Sequence, residues 1–122
     1  GLFRYEARGH RLNPVLAKDI RSLTGRQPFV AAAPVNLVFV ADRARAGNAS
    51  KEDQDLYAAA ATGFISQNVY LFCASDGLAT VVRGSIDREA LAKAMGLRSD
   101  QRIILAQTVG YPPDAQPAER GR

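Results

Sequence analysis

The 122 residues contain a single cysteine, so no internal disulfide can form. Cys73 lies inside an apolar stretch and reads as an inert buried thiol, which suits a reducing, cytoplasmic setting. Histidine is equally scarce. His10 stands beside a turn with no Cys, His or carboxylate cluster near it and reads as a solvent-facing residue. One Cys and one His cannot form a nucleophilic pair unless the fold joins distant positions, and a His/Cys metal cluster is excluded by count. GxSxG, GxxxxGK(S/T) and HExxH are all missing. The residues alone therefore assign no catalytic group and no metal ligand. If the protein is an enzyme, a cofactor supplies the chemistry. No uninterrupted apolar run reaches the roughly 18 residues of a membrane span, and the opening does not read as a signal peptide. The net charge of +4 comes from scattered arginines, so no nucleic-acid motif stands behind it. A small anionic ligand accounts for the excess equally well.

With 47% apolar and 23% charged residues, the chain has the balance of one ordinary globular domain. Its organising stretch is Ser50 to Ser85. Ser50 is a good N-cap, Asp53 stands where a capping box wants its partner, and Glu52, Asp53 and Asp55 favour the positive end of the helix dipole. Leu56, Ala60, Gly63, Phe64, Gln67, Tyr70, Leu71 and Ala74 recur at spacings of three and four, which predicts one packed face. Ile65, Val69, Phe72 and Cys73 make the other faces apolar too, so the helix is expected to be buried on several sides. Small residues from Ala58 to Ala61, with Gly63, would let another helix come close. Gln67 and Asn68 are the odd members. They are expected either to bond strand ends or a neighbouring helix, or to face a polar ligand or partner subunit. Gly77 is the expected left-handed residue after the helix.

Gly1–Glu6 and His10–Leu16 read as a hairpin with Gly9 as the permissive turn residue. Such an abrupt start on a strand suggests that something upstream is missing. Lys18–Thr24 is expected to be a short amphipathic helix with Ile20 and Leu23 facing in. Val35–Ala41 is a near-continuous apolar strand, expected to be central and covered on both faces. Asp42–Asn48 should be an exposed loop. Leu78–Arg83 reads as a strand, Arg88–Met95 as a helix capped by Asp87 or Ser85 and closed by Gly96, and Ile103–Val109 as a core strand after a turn. The expected architecture is an α+β domain over residues 1–113, with a mixed, largely antiparallel sheet and packed helices. Residues 114–122 read as an extended basic tail.

The run GFISQNVYLFCASDGLATVVRGSIDREALAKAMGL, followed by a strand ending VGYP, closely resembles the C-terminal half of the flavin-dependent nitroreductase family. The azoline-oxidase branch is the most similar, and GLFRYEARGHRL and QPFVAAAPVNLVFVAD match it in the same order. The resemblance implies an FMN-binding homodimer with each flavin at the subunit interface. It implies ping-pong hydride transfer from NAD(P)H or an organic small-molecule substrate. It also implies that the segment containing Val82, Arg83 and Gly84 runs along the isoalloxazine ring, with the Gly84 N–H donating to the ring nitrogen N5. Read without it, Gly84 is a strand-to-helix turn glycine. Arg120 and Arg122 stand about where the family holds the FMN phosphate, although a solubilising tail would look the same. The family's N-terminal helical part is not in this sequence. The chain is therefore expected either to be a truncated piece of a longer protein or to pair with a chain supplying that half, and to bind FMN weakly or not at all by itself; the alternative function is a truncated, non-catalytic dimer or ligand-binding module.

Overall fold

The computed structural model of the chain describes residues 1–113. Its elements run β1 (Leu2–Glu6), β2 (Arg11–Leu16), β3 (Val35–Asp42), α1 (Lys51–Asp76), β4 (Ala79–Arg83), α2 (Arg88–Met95) and β5 (Gln101–Gly110). β1 and β2 form a two-stranded antiparallel sheet of their own. The other three strands form an antiparallel sheet in the order β3-β5-β4. The α+β class and the antiparallel pairing are as expected, while the hairpin stands apart from the main sheet.

The hairpin turn uses a different residue from the one the sequence suggests. His10, not Gly9, takes the positive φ of 45°. Its Nδ1 lies 3.0 Å from the Tyr5 hydroxyl, and the two rings meet edge to face. A local side-chain bond thus offsets a backbone conformation that disfavours a Cβ. The expected helix over Lys18–Thr24 shrinks to a single 3-10 turn, Arg21–Leu23. Ile20 is buried but Leu23 is exposed, because a 3-10 turn does not carry both to one face.

β5, not β3, is central. Ile103, Ala106, Gln107 and Thr108 are buried, whereas β3 lies at a sheet edge and none of its residues is fully buried. A register shift between Phe39 and Val40 realigns β3 against β5, so that Val38 faces Ala106 and Val40 faces Ile103. On that face Ile20, Ile86, Leu91, Ile103 and Ala106 form the core, with Leu16, Val38 and Met95 packed around it. α2 covers it, capped as expected by Asp87 and closed by Gly96 in the left-handed conformation. β5 begins at Gln101, so part of the predicted turn before it is strand. The Asp42–Asn48 connection contains a 3-10 turn over Arg43–Arg45 and is exposed except for Asp42 and Arg43.

α1 forms as predicted. Ser50 Oγ accepts from the Asp53 N–H at 3.1 Å, and Gly77 closes the helix with φ 69°. Its burial is the reverse of expectation. The stripe against the sheet is Ala58, Thr62, Ser66, Tyr70 and Cys73, of which Thr62, Ser66 and Cys73 are fully buried. Small residues let the helix approach the sheet closely. The face predicted to be packed is exposed: Leu56, Phe64 and Leu71 are 63%, 73% and 60% accessible. Gln67 and Asn68 are exposed as well, so no burial cost falls on their amides.

Surface ion pairs fasten the connections. Arg43 and Arg102 both reach Asp55, while Arg98 bridges Asp42 and Asp100. Asp19 is held to about 2 by the Arg21 guanidinium and backbone N–H, well below its ordinary 3.8. The carboxylate is therefore favoured by folding, and its contribution is complete above 3.8 and lost as pH falls towards 2. Arg21→Gln should flatten the acid-side fall of the urea midpoint across that interval by lowering the midpoint near neutrality, where the wild type has the full contribution, and should change it least at the acid end. An identical acid slope in both proteins would refute the assignment.

Candidate functional site

β4 is an edge strand, and its outer edge would ordinarily leave alternate N–H groups without partners. One of them is occupied. The Val82 N–H donates to the Tyr70 hydroxyl of α1 at 2.9 Å. Because ladder direction alternates along a strand, residue 84 repeats the outward direction of residue 82. Among the described residues, none accepts from the Gly84 N–H. Its carbonyl accepts from the Ile86 N–H and from Arg88 Nη1.

The fold itself does not require glycine there. Gly84 is exposed and is not among the positive-φ glycines, and a Cβ would meet only Leu105 Cδ2, at 3.6 Å. The turn between β4 and α2 therefore presents a bare backbone edge with a spare donor. That edge fits a flat ring carrying an acceptor nitrogen, provided the ring lies against the backbone.

Arg83 points the other way. It is buried on the core face, where its partner across the ladder is Ala106. Nε donates to Thr108 Oγ1 at 2.8 Å and Nη2 to Asn36 Oδ1 at 2.7 Å and Thr24 Oγ1 at 3.2 Å. Nη1 donates to the Thr24 carbonyl. The acceptors are themselves fixed. Thr108 Oγ1 donates to Asn36 Oδ1 at 2.7 Å, Asn36 Nδ2 donates to the Val30 carbonyl, and Thr24 Oγ1 donates to the Arg21 carbonyl. Desolvation lowers the Arg83 pKa below the usual arginine value, while no carboxylate among the described residues pairs with it. Gly25 is demanded by this arrangement, because a Cβ there would collide with Arg83 Nη1 and come within 2.8 Å of Gln27 Oε1. The Arg26 N–H also donates to the Ser85 carbonyl, so the segment around residue 25 is fastened to the turn after Gly84.

Of the expected site residues, Val82, Arg83 and Gly84 are consecutive, but they present different groups. Val82 offers an N–H already taken, Arg83 a side chain turned into the core, and Gly84 an open N–H. Arg120 and Arg122 lie outside the described residues. Tyr70, Thr24, Gly25, Asn36 and Thr108 were not singled out as site residues from sequence. The one available signal was polarity at Asn36 and Thr108 within otherwise apolar strands. Beside this face, Phe29, Ala33, Pro34, Val81 and Thr108 line an open apolar groove of about 390 Å³. A second hollow of about 290 Å³ lies between the start of α1 and the end of β3, lined in part by Asp42, Arg43 and Asp55. No group of three or more His, Cys, Asp or Glu capable of holding a metal occurs among the described residues. No helix among them is long and apolar enough to cross a membrane.

A central antiparallel sheet with a long helix on one face and a bare strand-to-helix edge defines an α+β architecture that known proteins share. The profile of the nitroreductase family matches residues 3–111, and the chain belongs to that family. A crystal structure from Ralstonia eutropha, assigned as a nitroreductase, is 44% identical with a TM-score of 0.86. The match covers 93% of this chain and 54% of that one. A chain of the Escherichia coli microcin synthetase complex has the same fold at 22% identity and a TM-score of 0.75, over 92% of this chain and 44% of its own. A nitroreductase family protein from Streptococcus pneumoniae follows at 19% identity and 0.63, over 84% and 70%. The chain thus spans about half the length of the first two. No curated protein matches the sequence. The family is generally flavin-dependent.

Proposed function

We propose that this chain provides one wall of an FMN site in an oxidoreductase of the nitroreductase type. The observation that carries the reading is Gly84, a glycine that the fold does not need, whose N–H is left free at an open strand edge. Bound there, FMN would supply hydride transfer, from NAD(P)H or an organic substrate to a second small-molecule acceptor. Gly84 would donate its N–H to N5 of the ring, and its missing Cβ would let the ring rest on the backbone. Tyr70 occupies the Val82 N–H, so the donor left open beside the β4–α2 turn is that of Gly84. Arg120 and Arg122, which lie outside the described residues, would hold the phosphate in this reading. Uptake of FMN by the purified chain, read as visible absorbance, tests the reading; a chain that leaves added FMN free in solution refutes it.

The site is completed by a second subunit seated on α1, and a homodimer is the form proposed. Leu56, Phe64 and Leu71 form a wide apolar face that water would otherwise cover. The same helix brings Tyr70 to the β4 edge, so the proposed interface and the flavin edge are contiguous. Phe64→Asp should convert a dimer into a monomer in sedimentation, with little change in the monomer's secondary structure. Wild-type protein that sediments as a monomer at high concentration would contradict the homodimer.

A further inference from the structure

Burying a guanidinium among neutral oxygens is an unusual choice. A buried charge ordinarily stands beside its opposite. Arg83 instead ends among the Thr24 carbonyl, the hydroxyls of Thr24 and Thr108, and the Asn36 amide oxygen. Gln27 Oε1, a buried oxygen with no hydrogen-bond donor among the described residues, lies next to the same space. Such oxygens solvate the cation but do not cancel it. Its field therefore persists beyond the cluster, and the backbone edge at Gly84 lies one residue along the chain from it.

We infer that Arg83 is a positioning residue whose uncancelled buried charge makes the Gly84 edge favour the anionic form of a ring bound there over its neutral form. This rests on the flavin reading above. Arg83 does not touch the ring in this account. It acts in two ways, by pinning β4 to Thr24 and Thr108 and by lending the edge a fixed positive potential. The second effect separates this role from a purely structural one, because a neutral clamp would hold the strand equally well and leave the charge preference unchanged.

The test compares the affinities of the full chain for oxidised and dithionite-reduced FMN at mildly alkaline pH, where the reduced ring is an anion. Asn36→Asp and Gln27→Glu each place a carboxylate beside the guanidinium with almost no change in shape. Both should lower the ratio of reduced to oxidised affinity about tenfold, the order expected for cancelling a unit charge at one residue's remove. Arg83→Lys keeps the charge but loses the fork, so it should preserve most of the ratio while speeding amide hydrogen exchange at Val82, whose N–H the Tyr70 hydroxyl protects. Two neutralising variants are used so that one misfolded protein does not decide the matter. Bound FMN with the same ratio in wild type and in a folded neutralising variant overturns the inference and leaves the flavin reading standing. A wild-type chain that takes up FMN in neither redox state overturns both.

Discussion

Arg83→Ala is expected to lower the unfolding free energy by about 3–5 kcal/mol, measured by urea denaturation with linear extrapolation. The loss has a definite source. Without the guanidinium, the Thr24 carbonyl and the hydroxyl oxygens of Thr24 and Thr108 lose their donor in a buried site, and Asn36 Oδ1 keeps only the Thr108 hydroxyl. Each unmade bond to a buried oxygen costs on the order of 1–3 kcal/mol, and partial collapse of the cavity recovers some of the total. Against a typical stability of about 5–15 kcal/mol, this change leaves a domain near its unfolding threshold. Gly25→Ala attacks the same cluster from outside, by driving a methyl group into Arg83 Nη1, and should cost about 1–3 kcal/mol. The two effects should not add. Once Arg83 is alanine, a methyl group at residue 25 fills vacated space, so the double variant should be close in stability to Arg83→Ala alone. Full additivity would mean that the two residues do not meet in the folded protein.

The second large effect belongs to Gly84. Gly84→Pro removes the donor left free at the β4–α2 turn, and it should weaken FMN binding by about 10- to 100-fold, the worth of one well-placed hydrogen bond to a polar ring atom. Proline is tolerable at this position for backbone reasons. Arg83 ends a strand, and extended backbone is what proline asks of the residue before it. Gly84→Ala separates space from hydrogen bonding. The fold has room for its Cβ, so thermal stability should be preserved, and any loss of flavin affinity then reports how closely the ring approaches the backbone. If Gly84→Pro unfolds the protein while Gly84→Ala binds FMN like wild type, the glycine is a turn residue and nothing more.

The elements with strong local signals were legible in the sequence. The Ser50 cap, Gly77, the Asp87 cap and Gly96 fixed both main helices, because each depends on a side chain or φ value within a few residues. What depended on partners was harder to read. The apolar periodicity of α1 correctly marked Leu56, Phe64 and Leu71 as a face, but it could not say against what. Within this chain the sheet takes the small residues and leaves the bulky ones exposed. Likewise β3 read as central because it is apolar on both faces, yet a strand at a sheet edge shows the same pattern when something else covers it. The Arg83 cluster was invisible for another reason. Thr24, Asn36, Arg83 and Thr108 come from distant parts of the chain, and only the β3-β5-β4 order and its register bring Asn36 and Thr108 face to face. Gly84 was legible through the family resemblance. The unpaired state of its N–H required the three-dimensional strand order.

The measurement that bears most directly on the central claim is an FMN titration of the purified chain, followed by visible absorbance, with Gly84→Pro run in parallel. The account predicts saturable uptake with a perturbed flavin spectrum in the wild type, and a midpoint shifted at least about tenfold in the proline variant, which should retain its fold. A wild-type chain that leaves the spectrum of free FMN unchanged, or a proline variant that binds as tightly as wild type, would contradict the assignment of the flavin to the β4–α2 edge.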